Sequence, residues 1–186
     1  MKKLLGFSIF LVFVLIASLT AEAKVTLPAI FSDNMVLQQN TQVNVWGKAA
    51  PGEKVTVKAS WLDKAVTAKA AANGKWTVKL KTPKAITNQS VTVSGENEIT
   101  INNILIGEVW LCTGQSNMEF PVSRHPDVKW NTGMLNEAEE LKDADYPEIR
   151  LFHVKHQLAH EGELDDCEGE WLVCNPKNLY LSLIHI

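Results

Sequence analysis

Between Lys24 and about Ile106 apolar and polar residues alternate in short runs. Gln42 to Trp46, Val55 to Trp61, Trp76 to Leu80, Val91 to Ser94 and Ile99 to Ile101 carry a period of two, which puts every second side chain on one face of a half-buried strand. Pro51-Gly52 and Asn73-Gly74 punctuate the runs. Asn73-Gly74 stands between Val66-Thr67-Ala68 and Trp76-Thr77-Val78, and predicts a tight hairpin because both turn residues accept positive φ. Strands at this spacing predict an antiparallel β-sandwich of about eighty residues, a size that supports one core. Trp46, Trp61 and Trp76 each fall inside a run of this kind. We read them as core or sheet-face packing; a sugar-stacking platform is the alternative.

Beyond Ile106 the period changes. Val109 to Cys112 is a continuous apolar run, the pattern of a buried parallel strand, and it ends at Thr113-Gly114. Met134, Ala138 and Leu141 recur at helical spacing among Glu137, Glu139, Glu140 and Lys142, which predicts an amphipathic helix stopped at Asp145-Tyr146-Pro147. Ile149 to Val154 is a second apolar strand. Strand, helix, strand predicts a right-handed βαβ unit with parallel strands. The expected fold class is therefore mixed: an antiparallel β-sandwich over 24–106, then the beginning of a three-layer α/β domain with a parallel sheet over 107–176.

The first residues have a different grammar. Lys2-Lys3, an apolar stretch from Leu4 to Leu19, and Ala21-Glu22-Ala23 form the three parts of a secretory signal, residues 1–23. The competing reading is an uncleaved membrane anchor, since the apolar stretch approaches the minimum span. We expect cleavage, a mature chain beginning near Lys24, no membrane attachment afterwards, and a periplasmic or secreted location.

Composition changes this picture little. The 186 residues carry a net charge of -3 and 46% hydrophobic residues, compatible with one or two modest domains. Charges of both signs are mixed along the chain, without the basic stripe that a nucleic-acid backbone requires.

Candidate chemistry concentrates just beyond the first apolar strand. Glu108 to Pro121 reads Glu-Val-Trp-Leu-Cys-Thr-Gly-Gln-Ser-Asn-Met-Glu-Phe-Pro, delivering Ser116 between two side-chain amides, Gln115 and Asn117. In open α/β sheets the ligand crevice lies beyond the carboxyl ends of the strands, and backbone N–H groups of a tight turn can face a developing oxyanion. By spacing alone, a polar loop rich in turn formers is an equal reading.

Gly107-Glu108-Val109-Trp110 followed by Gly114-Gln115-Ser116-Asn117-Met118-Glu119 resembles the nucleophile block of the sialate O-acetylesterase family within the SGNH (GDSL-type) hydrolases. Leu27-Pro28-Ala29-Ile30-Phe31-Ser32-Asp33-Asn34-Met35-Val36-Leu37-Gln38-Gln39, with Val45-Trp46-Gly47 and Pro51-Gly52-Glu53, is similar to the segment with which family members open. The resemblance covers Leu27 to about Pro176. It implies Ser116 as nucleophile with its backbone N–H as one oxyanion donor, Gln115 and Asn117 shaping the loop at the substrate, an O-acetylated carbohydrate as substrate, and no cofactor.

The same resemblance exposes a deficit. A serine needs a base and usually an orienting carboxylate, which the family supplies as Asp-x-x-His; that tetrapeptide pattern does not occur in this sequence. His156 and His160 are four apart and His153 stands nearby, but no third ligand has suitable metal-binding spacing and we expect no metal. His125 is a pocket residue by its nearness to Ser116; as a base it would depart from the family's chain order. Cys167 and Cys174 lie in a stretch that resembles one with a cysteine pair in the family, so a bridge between them stands open beside two free thiols. Cys112 reads as a small hydrophobe packed in its strand.

After Cys174-Asn175-Pro176 the likeness ends. Residues 177–186, Lys177 to Ile186, are an atypical apolar tail, read as the mark of a truncated or frame-shifted gene. Three functions stay open: a serine esterase acting on sialic acid O-acetyl groups, with this chain holding an incomplete set of catalytic groups; an acetylxylan-type esterase; and a non-catalytic carbohydrate-binding β-sandwich fragment.

Overall fold

The computed structural model describes residues 24–114, 122–123, 133–155, 157–158, 160 and 162–179. Residues 1–23, expected to be a secretory signal, and the tail from Tyr180 onward lie outside them. Among the described residues no helix is long and apolar enough to cross a membrane.

The fold is mostly β. Seven strands come first: β1 (Val36–Gln38), β2 (Gln42–Lys48), β3 (Lys54–Ala59), β4 (Val66–Lys69), β5 (Lys75–Lys81), β6 (Ile86–Ser94) and β7 (Glu98–Gly107). They form a five-stranded mixed sheet in the order β1-β7-β6-β3-β4 and a two-stranded ribbon, β2-β5. The alternation seen in the sequence has a direct physical outcome. In β5, Trp76, Val78 and Leu80 point inward and are buried, while Lys75, Thr77, Lys79 and Lys81 face solvent. Val45 from β2, Val55 and Val57 from β3, Val91 and Val93 from β6, and Ile101, Ile104 and Ile106 from β7 meet them in a single apolar cluster. Each such side chain contributes roughly 1.5–3 kcal/mol by leaving water.

Three features depart from the sequence pattern. First, β6 and β7 run further than the expected Val91 to Ser94 and Ile99 to Ile101. Asn88 and Asn103 inside them take positive φ and the register shifts near Gln89, so the period of two breaks although the pairing continues. Second, β4 and β5 do not pair with each other. Gly74 alone of the Asn73-Gly74 pair has positive φ, the Gly74 N–H donates to the Ala71 carbonyl at 2.9 Å, and the chain turns out of one sheet into the other. Third, β1 is a short strand whose partner is β7, in parallel, with Val36 opposite Leu105 and Gln38 opposite Gly107.

The later residues also correct the expectation. Val109 to Cys112 forms no strand: no ladder partner stands beside it among the described residues, and Trp110 and Leu111 are 84% and 90% exposed. The expected helix exists as α1 (Glu137–Asp143), with Glu137, Glu139 and Glu140 in its first turn, where the helix dipole favours acids; none of its residues is fully buried. β8 (Tyr146–Val154) then pairs antiparallel with β9 (Gly169–Cys174), and a one-turn helix α2 (Pro176–Leu179) follows. The described residues thus place the second apolar strand in an antiparallel pair, not in the parallel βαβ arrangement.

This β8-β9 pair is latched to the β1–β7 unit. The Trp171 indole N–H donates to the Ile30 carbonyl at 2.7 Å, and the Ala29 N–H donates to the Asp166 carboxylate at 3.0 Å. Asp165 accepts Lys75 at 2.6 Å and meets Lys48 at 3.2 Å, contacts that hold its carboxyl below the ordinary range. Trp171 also lies 5.2 Å from Phe152 across the pair, so one indole is shared between the two parts.

Gly47 is where the ribbon tolerates no side chain. It pairs with Trp76, and a Cβ there would lie 2.9 Å from the Trp76 ring and collide with the Thr26 carbonyl. Gly47→Ala is expected to destabilise the chain by about 1–3 kcal/mol through overpacking, read as a lower urea midpoint with an unchanged slope.

Candidate active site

The approach to the serine loop is built at the end of β7. Parallel pairing brings Gln38 and Gln39 beside Gly107, and the Gln39 N–H donates to the Gly107 carbonyl at 2.8 Å. The two glutamines then hold Glu108. The Gln38 amide donates to one carboxylate oxygen at 2.9 Å and the Gln39 amide to the other at 2.7 Å. Each amide is itself oriented by a backbone donor: the Val109 N–H donates to the Gln38 oxygen at 2.8 Å, and the Ala85 N–H to the Gln39 oxygen at 2.8 Å. The result is a closed polar clamp across three chain segments. Gln38 first, and Gln39 next, keep the Glu108 carboxyl below its ordinary pKa.

From this clamp the chain runs outward through Val109 to Gly114, and Gly114 is the last described residue before the serine. Gln115, Ser116 and Asn117 lie outside the described residues, as do His125 and His156. Val122 and Ser123, on the far side of the loop, are buried, and the Met134 N–H donates to the Val122 carbonyl at 3.0 Å. The loop is therefore flanked by the clamp on one side and a buried anchor on the other.

Of the remaining candidates, His153 sits in β8 opposite Glu170, and it and His160 are exposed. Among the described residues no three His, Cys, Asp or Glu side chains are placed to hold a metal ion. Cys112 is exposed instead of packed, and Cys167 and Cys174 are free thiols. Cys174 ends β9 and Cys167 precedes its start, so the strand itself, rising about 3.3 Å per residue, keeps them well beyond the roughly 7 Å limit for a bridge. Burial, and secondarily Asp145, push the Cys174 thiol up, while a hydrogen bond from the Tyr146 backbone acts the other way.

Comparison with known proteins gives this arrangement a context. Mouse sialate O-acetylesterase is 31% identical over 150 residues, which are 74% of this chain and 26% of that protein. The rat sialate O-acetylesterase is 30% identical over 153 residues, 76% of this chain and 26% of that one. The chain is homologous to sialate O-acetylesterases. It spans about a quarter of the length of these curated relatives. The crystal structure of a carbohydrate acetylesterase from Xanthomonas citri superposes with a TM-score of 0.75 at 28% identity, over 86% of this chain and 35% of that one. No family model matches.

Reasoning from the sequence passed over the clamp. Gln38, Gln39 and Glu108 stood in the segments that resemble the sialate O-acetylesterases, but their partnership depends on a parallel pairing about seventy residues apart in sequence. Their only local signal is a Gln-Gln pair at the end of an apolar run and an acid at the start of another.

Glu108→Gln puts an amide donor where the clamp needs an acceptor. The Val109 amide should then exchange with solvent about fivefold faster, measured by hydrogen exchange, with the β5 core amides unchanged. Because the Glu108 pKa is lowered in the folded chain, Val109 protection should persist through the ordinary carboxylate range and fall only below it as the carboxylate gains its proton. A thiol titration checks the cysteines: Cys112 and Cys167 should react promptly with a thiol reagent in the folded chain, and Cys174 only on unfolding.

Proposed function

We propose that this chain carries the β unit and the nucleophile loop of a carbohydrate O-acetylesterase, with Ser116 as nucleophile. What supports the reading is the Gly114-Gln115-Ser116-Asn117-Met118-Glu119 block, which comes a few residues after the clamped end of β7 in a chain similar to named acetylesterases. In this reading residues 24–106 form a β-sandwich, and 107–176 open an SGNH-type α/β domain. The mature chain acts outside the cytoplasm, in the periplasm or beyond it, after loss of residues 1–23.

The chemistry is acyl transfer. The Ser116 hydroxyl oxygen attacks the acetyl carbonyl carbon while a base takes its proton, and the carbonyl oxygen becomes an oxyanion facing the Ser116 N–H. Collapse expels the sugar oxygen, which takes up a proton, and leaves an acetyl ester on Ser116. Water, deprotonated in turn, attacks that ester and releases acetate. The sugar is a sialic acid or another acetylated carbohydrate such as xylan. The sequence contains no Asp-x-x-His to supply the base and its carboxylate, so this 186-residue polypeptide should turn over weakly by itself.

Imidazole can stand in for a missing base, which gives a direct test. With p-nitrophenyl acetate and rising imidazole, the chain should release p-nitrophenol faster than its Ser116→Ala variant, and mass spectrometry should find the trapped acetyl group on Ser116. Equal rates for both proteins at every imidazole concentration, with no acetyl on Ser116, would overturn the nucleophile assignment.

A further inference from the structure

The alternation that builds the core requires polar residues on the outer face of the β2-β5 ribbon but does not require that they be lysines around an aromatic ring. Over residues 24–106 ten lysines stand against five carboxylates, although the whole chain is net negative. Pairing of the two strands gathers Lys48, Lys75, Lys79 and Lys81 on one face, together with Gln42, Asn44 and Thr77, and all of them are exposed. Trp46 lies among them. It pairs directly with Thr77, and Lys75 and Lys79 are its diagonal neighbours, at a separation of about 7–8 Å.

The indole is held in place. Phe31, almost fully buried, meets Trp46 edge-on with ring centroids 4.6 Å apart and planes at 80°, and Trp46 remains 40% exposed. At one end of the ribbon Asp165 neutralises Lys48 and Lys75. At the other, Lys79 and Lys81 have no ion-pair partner among the described residues, and the Trp61 indole N–H donates to the Lys81 carbonyl at 2.9 Å. An aromatic ring packed edge-on by Phe31, hydroxyl and amide side chains, and lysines without an ion-pair partner among the described residues thus share one face of the ribbon.

We infer that this face is a binding surface for a carboxylate-bearing polysaccharide, separate from the serine loop. The apolar face of a pyranose ring stacks on Trp46. Gln42, Asn44 and Thr77 can exchange hydrogen bonds with its hydroxyls, and Lys79 and Lys81 attract its carboxylates. The choice of a saccharide over other polyanions rests on the carbohydrate-esterase reading above and on these amide and hydroxyl groups around the ring. The surface would hold a polymeric substrate while Ser116 acts on its acetyl groups.

The test is binding, not turnover. Affinity electrophoresis of the Ser116→Ala chain in polygalacturonate, in neutral xylan and beside single-stranded oligothymidylate isolates the surface from catalysis. Polygalacturonate should retard the chain most. Trp46→Ala and, independently, Lys79→Glu/Lys81→Glu should each weaken that binding about tenfold, with far-ultraviolet circular dichroism unchanged. Trp46→Tyr should restore much of the loss, which a merely unfolded ribbon would not. No retardation by polygalacturonate, retardation indifferent to Trp46, or equal affinity for oligothymidylate would overturn the inference. The esterase reading stands or falls separately, on acetyl transfer to Ser116.

Discussion

The parallel pairing of Val36–Gln38 with Leu105–Gly107 is the constraint on which the rest of the site depends. It joins the beginning of the β unit to its end. Because backbone hydrogen bonds in a ladder are obligatory once water is excluded, the pairing sets the position of Gly107 to within the register of a sheet. The chain that leaves Gly107 inherits that position. Gln38 and Gln39 extend it by one residue beyond the ladder, each amide donating once to Glu108 and accepting once from a backbone N–H. The clamp thus fixes where Glu108 and the Val109 N–H leave the ladder.

The core supplies the stiffness behind this device. Two sheets turn alternating faces into one apolar cluster, in which Trp76, Leu80, Ile101 and Ile104 are almost fully removed from water. The same alternation that buries those side chains sends their neighbours outward, so an apolar inner face and a polar outer face are two consequences of one period. Gly47 shows how closely the inner side is filled: the backbone of β2 approaches Thr26 and the Trp76 ring with no room for a methyl group.

A second constraint joins the later chain to the earlier. Trp171, Asp165 and Asp166 reach the Ala29-Ile30 backbone and the ends of Lys48 and Lys75. The indole hydrogen bond is half-buried and directional, whereas the Asp165 pairs are exposed and screened by salt. Trp171 therefore fixes the contact and the aspartate adds orientation. The segment Leu27 to Phe31 is in this way shared between the core, the latch and the Trp46 platform.

The sequence by itself determined the local outcomes: strands where apolar residues recur every second position, a helix where Ala138 and Leu141 continue the helical spacing of Met134 among acids, and a serine block recognisable from consecutive residues. These depend on neighbours in the chain, so they are written locally. Asn88 and Asn103 hid the full length of β6 and β7, because one residue in the left-handed region breaks the period without ending the ladder. Which strands become neighbours was settled only by tertiary structure. Asn73-Gly74 has the chemistry of a hairpin, yet its flanking strands enter different sheets. The apolar run at Val109 to Cys112 has the composition of a strand but no ladder beside it among the described residues. Likewise the lysines look evenly mixed along the chain, since alternation spaces them apart, and only the pairing of β2 with β5 gathers four of them on the face that carries Trp46. Long-range pairing is decided by the summed burial and hydrogen bonding of the whole domain, and no short stretch of sequence carries that sum.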